Sequence, residues 1–435
     1  MLGERTGILS PAILFSALTI SLSLAWAYAD LLLMLLALAM LIALRQWRSS
    51  GSPRWLVLGG ALAGFALGAK YTAALVPLSG AVMIAAYPAC APQGSRIKRF
   101  KSSVLSAGLF SVAALIVFAP WLIKNLWHTG NPVYPFLWPG GRMDALKQWF
   151  YSRPYMGERN PLWAALIFFR AVFWGAQSAN GYDATLGPLI VFLPFALAVG
   201  WRALEARVRN ELGPLIVFVL TGYAGWVTLT LASELAIQIR LFFALFPALA
   251  ILSAAGLTAI GSFDSPALRV SIIIKAVVAL ILALTAWENL ATLAARSPLA
   301  YLVGAQSAAS FREAHLGAYP AAIERVNALP PGSRVEFLWE TRSLDCVELD
   351  RCRPDVVIYN WWHLRQTVGA AEAILSHWKA QGVTHVLIYD LGADFVRSQA
   401  DAAFVDSDWT ELDALRGRMQ LIQTFDSAYS LYALR

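Results

Sequence analysis

The first 300 residues of this chain are a succession of apolar runs almost free of Asp, Glu, Lys and Arg, at about 9 to 27, 30 to 45, 55 to 69, 71 to 88, 104 to 123, 186 to 200, 213 to 231, 241 to 260 and 271 to 288. Crossing the hydrocarbon of a bilayer takes roughly 20 apolar residues in a helix. Only structures that satisfy their own backbone hydrogen bonds persist there. The pattern therefore predicts a polytopic α-helical membrane region of about nine transmembrane helices, several of them shorter than the usual length. The bulk composition agrees: 58% of the 435 residues are hydrophobic and 14% charged, against roughly 45 to 50% and 25% in soluble domains.

Residues 305 to 435 have the charge density of an ordinary water-soluble domain. The expected organisation is a multi-span transmembrane domain over 1–290, with an outer loop at 124–185, followed by a soluble α/β domain over 305–435. The net charge of +7 and pI near 9.4 do not point to nucleic acid, because the basic residues fall in short loops. Arg45, Arg48 and Arg54, then Arg96, Lys98, Arg99 and Lys101, then Arg202, Arg207 and Arg209 alternate with loops poorer in base, which is the pattern of cytoplasmic loops. By parity the N-terminus lies inside. Asp30, Lys70, the loop 124–185, the turn 232–240 and the whole tail then share the outer side.

Trp26, Trp47, Trp55, Trp121, Trp127, Trp201, Trp226 and Trp287 fall near run ends, where amphipathic rings sit at headgroup level. Ala27-Tyr28-Ala29 has the small-x-small look of a cleavage site. The apolar stretch before it exceeds the ~7 to 15 residues of a signal peptide core, which favours an uncleaved helix. Leu162 to Gln177 mixes large apolar residues with the single charge Arg170 and is read as a helix lying in the interface plane. In the tail, 334–339, 356–359, 385–389 and 430–434 read as strands, with helical patterns at about 366 to 381 and 409 to 419 between them. Cys346 and Cys352 are too far apart for a Cys-x-x-Cys redox motif and lack a second pair for zinc. They can form a disulfide if the tail is extracytoplasmic.

The residues able to carry chemistry cluster at predicted helix boundaries on the outer side. Asp30 opens the run 31–44; as a structural residue it would be an N-cap. Lys70 and Arg240 are boundary cations, suited either to snorkelling toward headgroups or to binding phosphate, Arg as a planar fork and Lys as a point charge. Lys124 is a further cation of this kind. Gly130-Asn131-Pro132-Val133-Tyr134-Pro135 sets a fixed loop path after a helix end. His128 lies beside Asn125 and Asn131, and a lone histidine is a poor metal site. In the tail, Glu340, Asp345, Glu348, Asp350 and Asp355 form an acidic loop, either solvated or able to take a cation. Tyr359-Asn360-Trp361-Trp362-His363 offers rings for stacking on a sugar or for packing at a strand end.

The segments Gly64 to Leu75, Pro120-Trp121 through Thr129 to Pro135, and Gln238 to Phe243 with Pro247 together resemble bacterial GT-C membrane glycosyltransferases. The resemblance is to the dolichyl-phosphate-mannose protein mannosyltransferase-like group, which includes the aminoarabinose transferase of lipid A. The tail is similar to that of some members through Phe337 to Glu340, Gln381 to Ile388 and Tyr429 to Tyr432. The resemblance implies transfer of a sugar from a polyprenyl-phosphate donor to a lipid, glycan or protein acceptor at the outer face of the inner membrane, with inversion at the anomeric carbon. It implies Asp30 as a catalytic carboxylate, Lys70, Arg240 and Lys124 at the donor phosphate, and His128, Asn131 and Tyr134 at the acceptor and its loop. It leaves metal dependence open and assigns no cofactor. Members begin with a helix followed by a sizeable acidic outer loop, whereas here the first run meets Asp30 almost at once. Either the N-terminal part of the pattern, with the main catalytic carboxylate, is missing and the chain alone is inactive, which a resemblance that begins in mid-pattern favours, or the catalytic arrangement has changed. The other expectations the residues allow are a transporter or flippase of lipid-linked sugars, disfavoured by runs with little charge apart from Lys275, and a catalytically silent membrane scaffold.

Overall fold

The computed structural model describes residues 4–24, 28–87, 96–153, 161–174, 186–233, 236, 238–348, 350–356 and 359–434. The chain divides into two compact units, Met1–Thr292 and Leu293–Arg435. The first is helical: α1 (Glu4–Phe15), α2 (Leu18–Ser23), α3 (Asp30–Ser50), α4 (Pro53–Ala69), α5 (Leu75–Ala86), α6 (Arg96–Thr129), α7 (Ala145–Tyr151), α8 (Pro161–Ala165), α9 (Ile167–Trp174), α10 (Pro188–Gly200), α11 (Ala206–Ala232), α12 (Phe246–Ala259) and α13 (Val270–Arg296). Short 3-10 turns at Tyr71–Ala74 and Ile239–Leu245 lead into α5 and α12. Among the described residues, five helical segments are long and apolar enough to cross a membrane: Asp30–Ser50, Phe100–Thr129, Ala206–Ala232, Ile239–Phe263 and Val270–Arg296. This is a membrane protein. Thr6–Phe15, Pro53–Ala69, Tyr71–Ala86 and Pro188–Ala203 are apolar but shorter.

Two expectations in this unit need correction. The run at 9 to 27, whose residues 25–27 lie outside the described residues, is two short helices as far as Ser23, because the chain breaks at Ser16, whose hydroxyl turns back onto Ile13 O at 2.7 Å in competition with the helical ladder. The interfacial helix at 162 to 177 is likewise split at Leu166 into α8 and α9, and its residues 175–177 lie outside the described residues. Its Phe168 ring packs edge-on against Trp226 of α11 at 5.2 Å between centroids, and Ile167 and Ala171 are fully buried. The segment is therefore joined to the bundle.

Within the first unit, glycine sets how closely helices approach. A Cβ at Gly60 would stand 2.2 Å from Phe110 O and one at Gly64 2.4 Å from Ala114 O, so α4 lies with its backbone against that of α6. Small residues four apart permit this contact where apolar burial cannot drive association in lipid. Gly256 does the same for α12 against α10, with Leu193 O 2.1 Å from the position of a Cβ.

The second unit contains α14 (Pro298–Leu302), α15 (Ala308–Leu316), α16 (Tyr319–Asn327), β1 (Val335–Leu338), β2 (Cys352–Arg353), α17 (Asn360–Thr367), α18 (Ala371–Ala380), β3 (His385–Tyr389), α19 (Asp390–Ser398), α20 (Asp406–Arg418), β4 (Gln420–Phe425) and β5 (Tyr429–Ala433). The sheet order is β2-β1-β3-β5-β4. β1 is parallel to both β2 and β3, while β5 is antiparallel to β3 and β4. The pleat sends alternate residues to opposite faces. Val335, Phe337, Leu387 and Leu431 pack with Tyr319, Ile323 and Val326 of α16, and Leu338, Val386, Ile388 and Tyr432 pack with Trp361, Ile374, Trp378 and Leu415 from α17, α18 and α20. The strand expected at 356–359 does not extend through Tyr359, which instead precedes the first turn of α17; residues 357 and 358 lie outside the described residues. Cys346 and Cys352 are joined as a disulfide.

Glu336 shares the second face of the sheet. Its carboxylate is buried and accepts from Asn360 Nδ2 at 2.8 Å. Burial pushes its pKa up to about 7, against the opposing pull of Asn360 and Arg353. An acid raised in the folded state binds its proton more tightly there than in the unfolded chain, so stability falls as pH rises from the ordinary carboxylate range through about 7.

Two outcomes follow for the full chain in detergent. Gly64→Val forces α4 and α6 apart and is expected to cost about 1–3 kcal/mol of stability, whereas Gly68→Ala, with nothing within 4 Å of the added methyl, is not. Glu336→Gln is expected to raise the thermal midpoint of the second unit at pH 8 and to flatten its decline between pH 5 and 8, by about 1–3 kcal/mol across that window; an unchanged pH profile shows that the carboxylate is not the source.

Candidate functional site

The site is assembled where several helices of the first unit end. Asp30 is the first residue of α3 and Lys70 the residue that caps the C-terminus of α4, its own N–H bonded to Ala66 O. A helix N-terminus carries partial positive charge and a C-terminus partial negative charge. Each side chain therefore complements the end on which it sits. They also meet: Lys70 Nζ donates to Asp30 Oδ1 at 2.5 Å, with the Asp30 side chain 2% and the Lys70 side chain 26% exposed. The N-cap of α3 is Ala29, and Asp30 does not cap its own helix. Among the described residues, Asp30 Oδ2 is buried without a hydrogen-bond partner, and so is Thr72 Oγ1 two residues beyond Lys70. A buried carboxylate oxygen left in this way is costly and marks a place where a further donor belongs.

Arg240 lies in the 3-10 turn that packs against α3 and against Tyr71–Ala74. Its guanidinium sits over the ring of Tyr28 at 4.6 Å and donates to Gln238 Oε1 from Nε and Nη2 at 3.3 and 3.0 Å. Tyr28 is two residues before Asp30, so the carboxylate and both cations occupy one end of the unit. Nothing in their spacing along the chain sets this; the packing of the 239–245 turn against α3 does.

Tyr71 carries the cluster across to α6. Its hydroxyl accepts from Asn125 Nδ2 at 2.7 Å and from Trp121 Nε1 at 3.0 Å, and its ring meets Phe118 and Phe136 edge-on. Asn125 Nδ2 also reaches Pro132 O at 3.3 Å. Asn131 is fully buried and holds its loop together: Nδ2 donates to Phe136 O and Trp138 O at 2.8 and 2.7 Å, and Oδ1 accepts from Val133 N at 2.9 Å. Its amide is spent on the loop. Tyr134 is half-buried, beside Gly141. Lys124 and His128 are exposed on the last turns of α6, and Lys124 Nζ lies over the Trp121 ring at 4.1 Å.

All seven residues singled out from the sequence thus lie on elements that converge at this end. Tyr71 and Asn125, which couple α4 to α6, were not singled out as site residues. The available signal was an Asn placed one helical turn from both Trp121 and Thr129, directly after the apolar stretch of α6, with Thr129 Oγ1 bonded to Asn125 O at 2.7 Å.

In the second unit the acidic loop resolves into separate pairs. Glu340 binds Arg342 and Tyr429, Asp345 binds Arg312, and Glu348 binds Arg351. Asp355 accepts from Trp339 N and Asn360 N. Burial raises the Glu340 carboxyl, but the bonds from Arg342 and Tyr429 outweigh it and hold the group below its ordinary value. Among the described residues no group of three or more His, Cys, Asp or Glu could hold a metal ion. Trp361 and Trp362 are buried in the core, at 0% and 3% exposure, so these rings pack rather than present a stacking surface. Compared with known proteins, the chain matches no family model and no curated sequence.

Proposed function

We propose that this protein is a GT-C type glycosyltransferase that moves a sugar from a polyprenyl-phosphate donor to an acceptor hydroxyl at the outer face of the inner membrane. The observation that carries this reading is the gathering of Asp30, Lys70 and Arg240 at one end of the helical unit, with one carboxylate oxygen of Asp30 buried and, among the described residues, without a hydrogen-bond partner. Transfer requires that the acceptor oxygen lose its proton and attack the anomeric carbon while the phosphate departs with the electron pair of the broken bond. A carboxylate serves the first requirement and fixed cations the second.

Asp30 Oδ2 is the oxygen available for an acceptor hydroxyl. Lys70 holds Asp30 in the absence of donor. A phosphate arriving beside Arg240 competes for the ammonium and leaves the carboxylate more basic. Asp30 and Lys70 neutralise one another, Arg240 leaves the cluster with one net positive charge, and the single negative charge of the donor phosphodiester offsets it on binding. The Cys346–Cys352 disulfide supports an extracytoplasmic second unit, because disulfides persist in oxidising compartments.

The test is made on the full chain in nanodiscs with a panel of polyprenyl-phosphate hexoses and pentoses. Arg240→Ala is expected to weaken donor binding about 10- to 100-fold. Asp30→Asn is expected to retain donor binding and to lower turnover about 10²- to 10⁴-fold. Wild-type turnover in Asp30→Asn, or unaltered donor binding in a folded Arg240→Ala protein, overturns the proposal. The latter result combined with loss of assembly favours a scaffold.

A further inference from the structure

A second binding feature lies at the other end of α3. Arg45 follows Asp30 by fifteen residues, about 22 Å along the helix axis. A cavity of about 140 Å³ opens here between α3, α5, α11 and α12. Leu41, Met83, Leu215 and Ile251 make its walls aliphatic, and Arg45, Arg48 and Glu211 stand around it. Arg45 Nε donates to Glu211 Oε2 at 2.8 Å, and both side chains are about one-third exposed, at 30% and 32%. Among the described residues the two terminal nitrogens of Arg45 have no hydrogen-bond partner.

Arg48 is held differently. Its Nη2 donates to Asn210 O at 3.0 Å, and its guanidinium faces the Tyr87 ring at 5.6 Å. Asn210 O is the carbonyl that Pro214 leaves without a donor inside α11, because proline lacks the N–H that would bond four residues back. Arg48 therefore restores a helical hydrogen bond that the sequence removes, and in doing so is fixed beside the cavity. Two guanidiniums against one carboxylate leave the cavity rim with a single net positive charge. Arg54, Arg202 and Arg207 are exposed at the same end of the bundle and add to that potential.

We propose that this cavity binds an anionic glycerophospholipid from the leaflet on the side of the basic loops. An apolar cavity of about 150 Å³ takes a guest the size of benzene, so the space fits a segment of one acyl chain, not a whole lipid. The rim supplies what the headgroup needs: terminal guanidinium nitrogens that match phosphate oxygens in planar, charge-assisted pairs. A neutral or cationic headgroup would find no complement to the net charge, and a hydrophilic anion would leave the aliphatic walls unfilled. The site is separate from the Asp30 cluster and does not depend on the transferase reading.

The test is thermal unfolding of the full-length protein in a neutral detergent, with phosphatidylglycerol, phosphatidylcholine of the same chain length, or inorganic phosphate at matched ionic strength. Phosphatidylglycerol is expected to raise the midpoint by about 2–4 °C and the other two to leave it unchanged. Leu215→Trp fills the cavity and leaves the charges; Arg45→Gln removes the net charge and leaves the cavity. Each is expected to lose at least half of the phosphatidylglycerol shift. An equal shift with phosphatidylcholine, a shift reproduced by phosphate alone, or an undiminished shift in both variants overturns the proposal. Native mass spectrometry of the unaltered protein supplies a reading independent of how the variants fold: preferential retention of one phosphatidylglycerol over phosphatidylcholine supports the site, and equal retention overturns it.

Discussion

A bilayer offers no water to an unpaired backbone group or an unpaired charge, and this constraint governs the 1–292 unit. Backbone polarity is satisfied within helices, and the helices then have no hydrophobic reason to associate, since lipid tails are as apolar as their own side chains. Close contact must come from shape. Gly60, Gly64 and Gly256 provide it by letting backbones meet where a Cβ would overlap a carbonyl oxygen. The same constraint drives the ionic residues to the helix ends, where the two clusters of the unit are found.

These clusters use their charges in different ways. At one end, Asp30 and Lys70 each complement a helix terminus and neutralise each other. Burying such a pair costs desolvation that the Coulomb attraction only partly returns, and the orphaned Oδ2 adds to that cost. A pair designed for stability alone would have both oxygens satisfied, as Asp390 does in the second unit with Arg416 on one oxygen and Ser430 on the other. At the other end, Arg48 repairs the gap left by Pro214 and Arg45 pairs with Glu211. There the cations outnumber the anion and border an aliphatic space. The proposed readings, a hydroxyl and a phosphate at the first cluster and a lipid at the second, rest on this difference.

Much of this was legible in the residues. Asp30, Lys70 and Arg240 stood out because a charge bordering an apolar run is rare and expensive, and the sheet strands at 335–338, 385–389 and 429–433 showed the expected β-branched and aromatic composition. The misses have local causes. β2 is two residues long, too short for any periodic signal. β4 is an edge strand with largely exposed residues, so its sequence lacks the apolar alternation that burial imposes. Tyr359 to His363 looked like a strand end because aromatic residues favour strands, yet Trp361 and Trp362 fill the core from a helix, with their ring nitrogens bonded to Asp408 O and Ala403 O.

The sequence by itself determined that the chain enters a membrane, that a more highly charged unit of mixed helix and strand follows, and which few ionic residues border the apolar runs, because hydrophobicity and charge are local properties summed over short windows. Which of those residues face one another was decided only by tertiary structure. Lys70 reaches Asp30 because α3 and α4 pack side by side, Arg240 reaches Tyr28 because a 3-10 turn folds against α3, and Tyr71 reaches Asn125 because glycines bring α4 onto α6. Each of these contacts depends on an interhelical distance of a few ångströms, and no property of a single segment carries that distance.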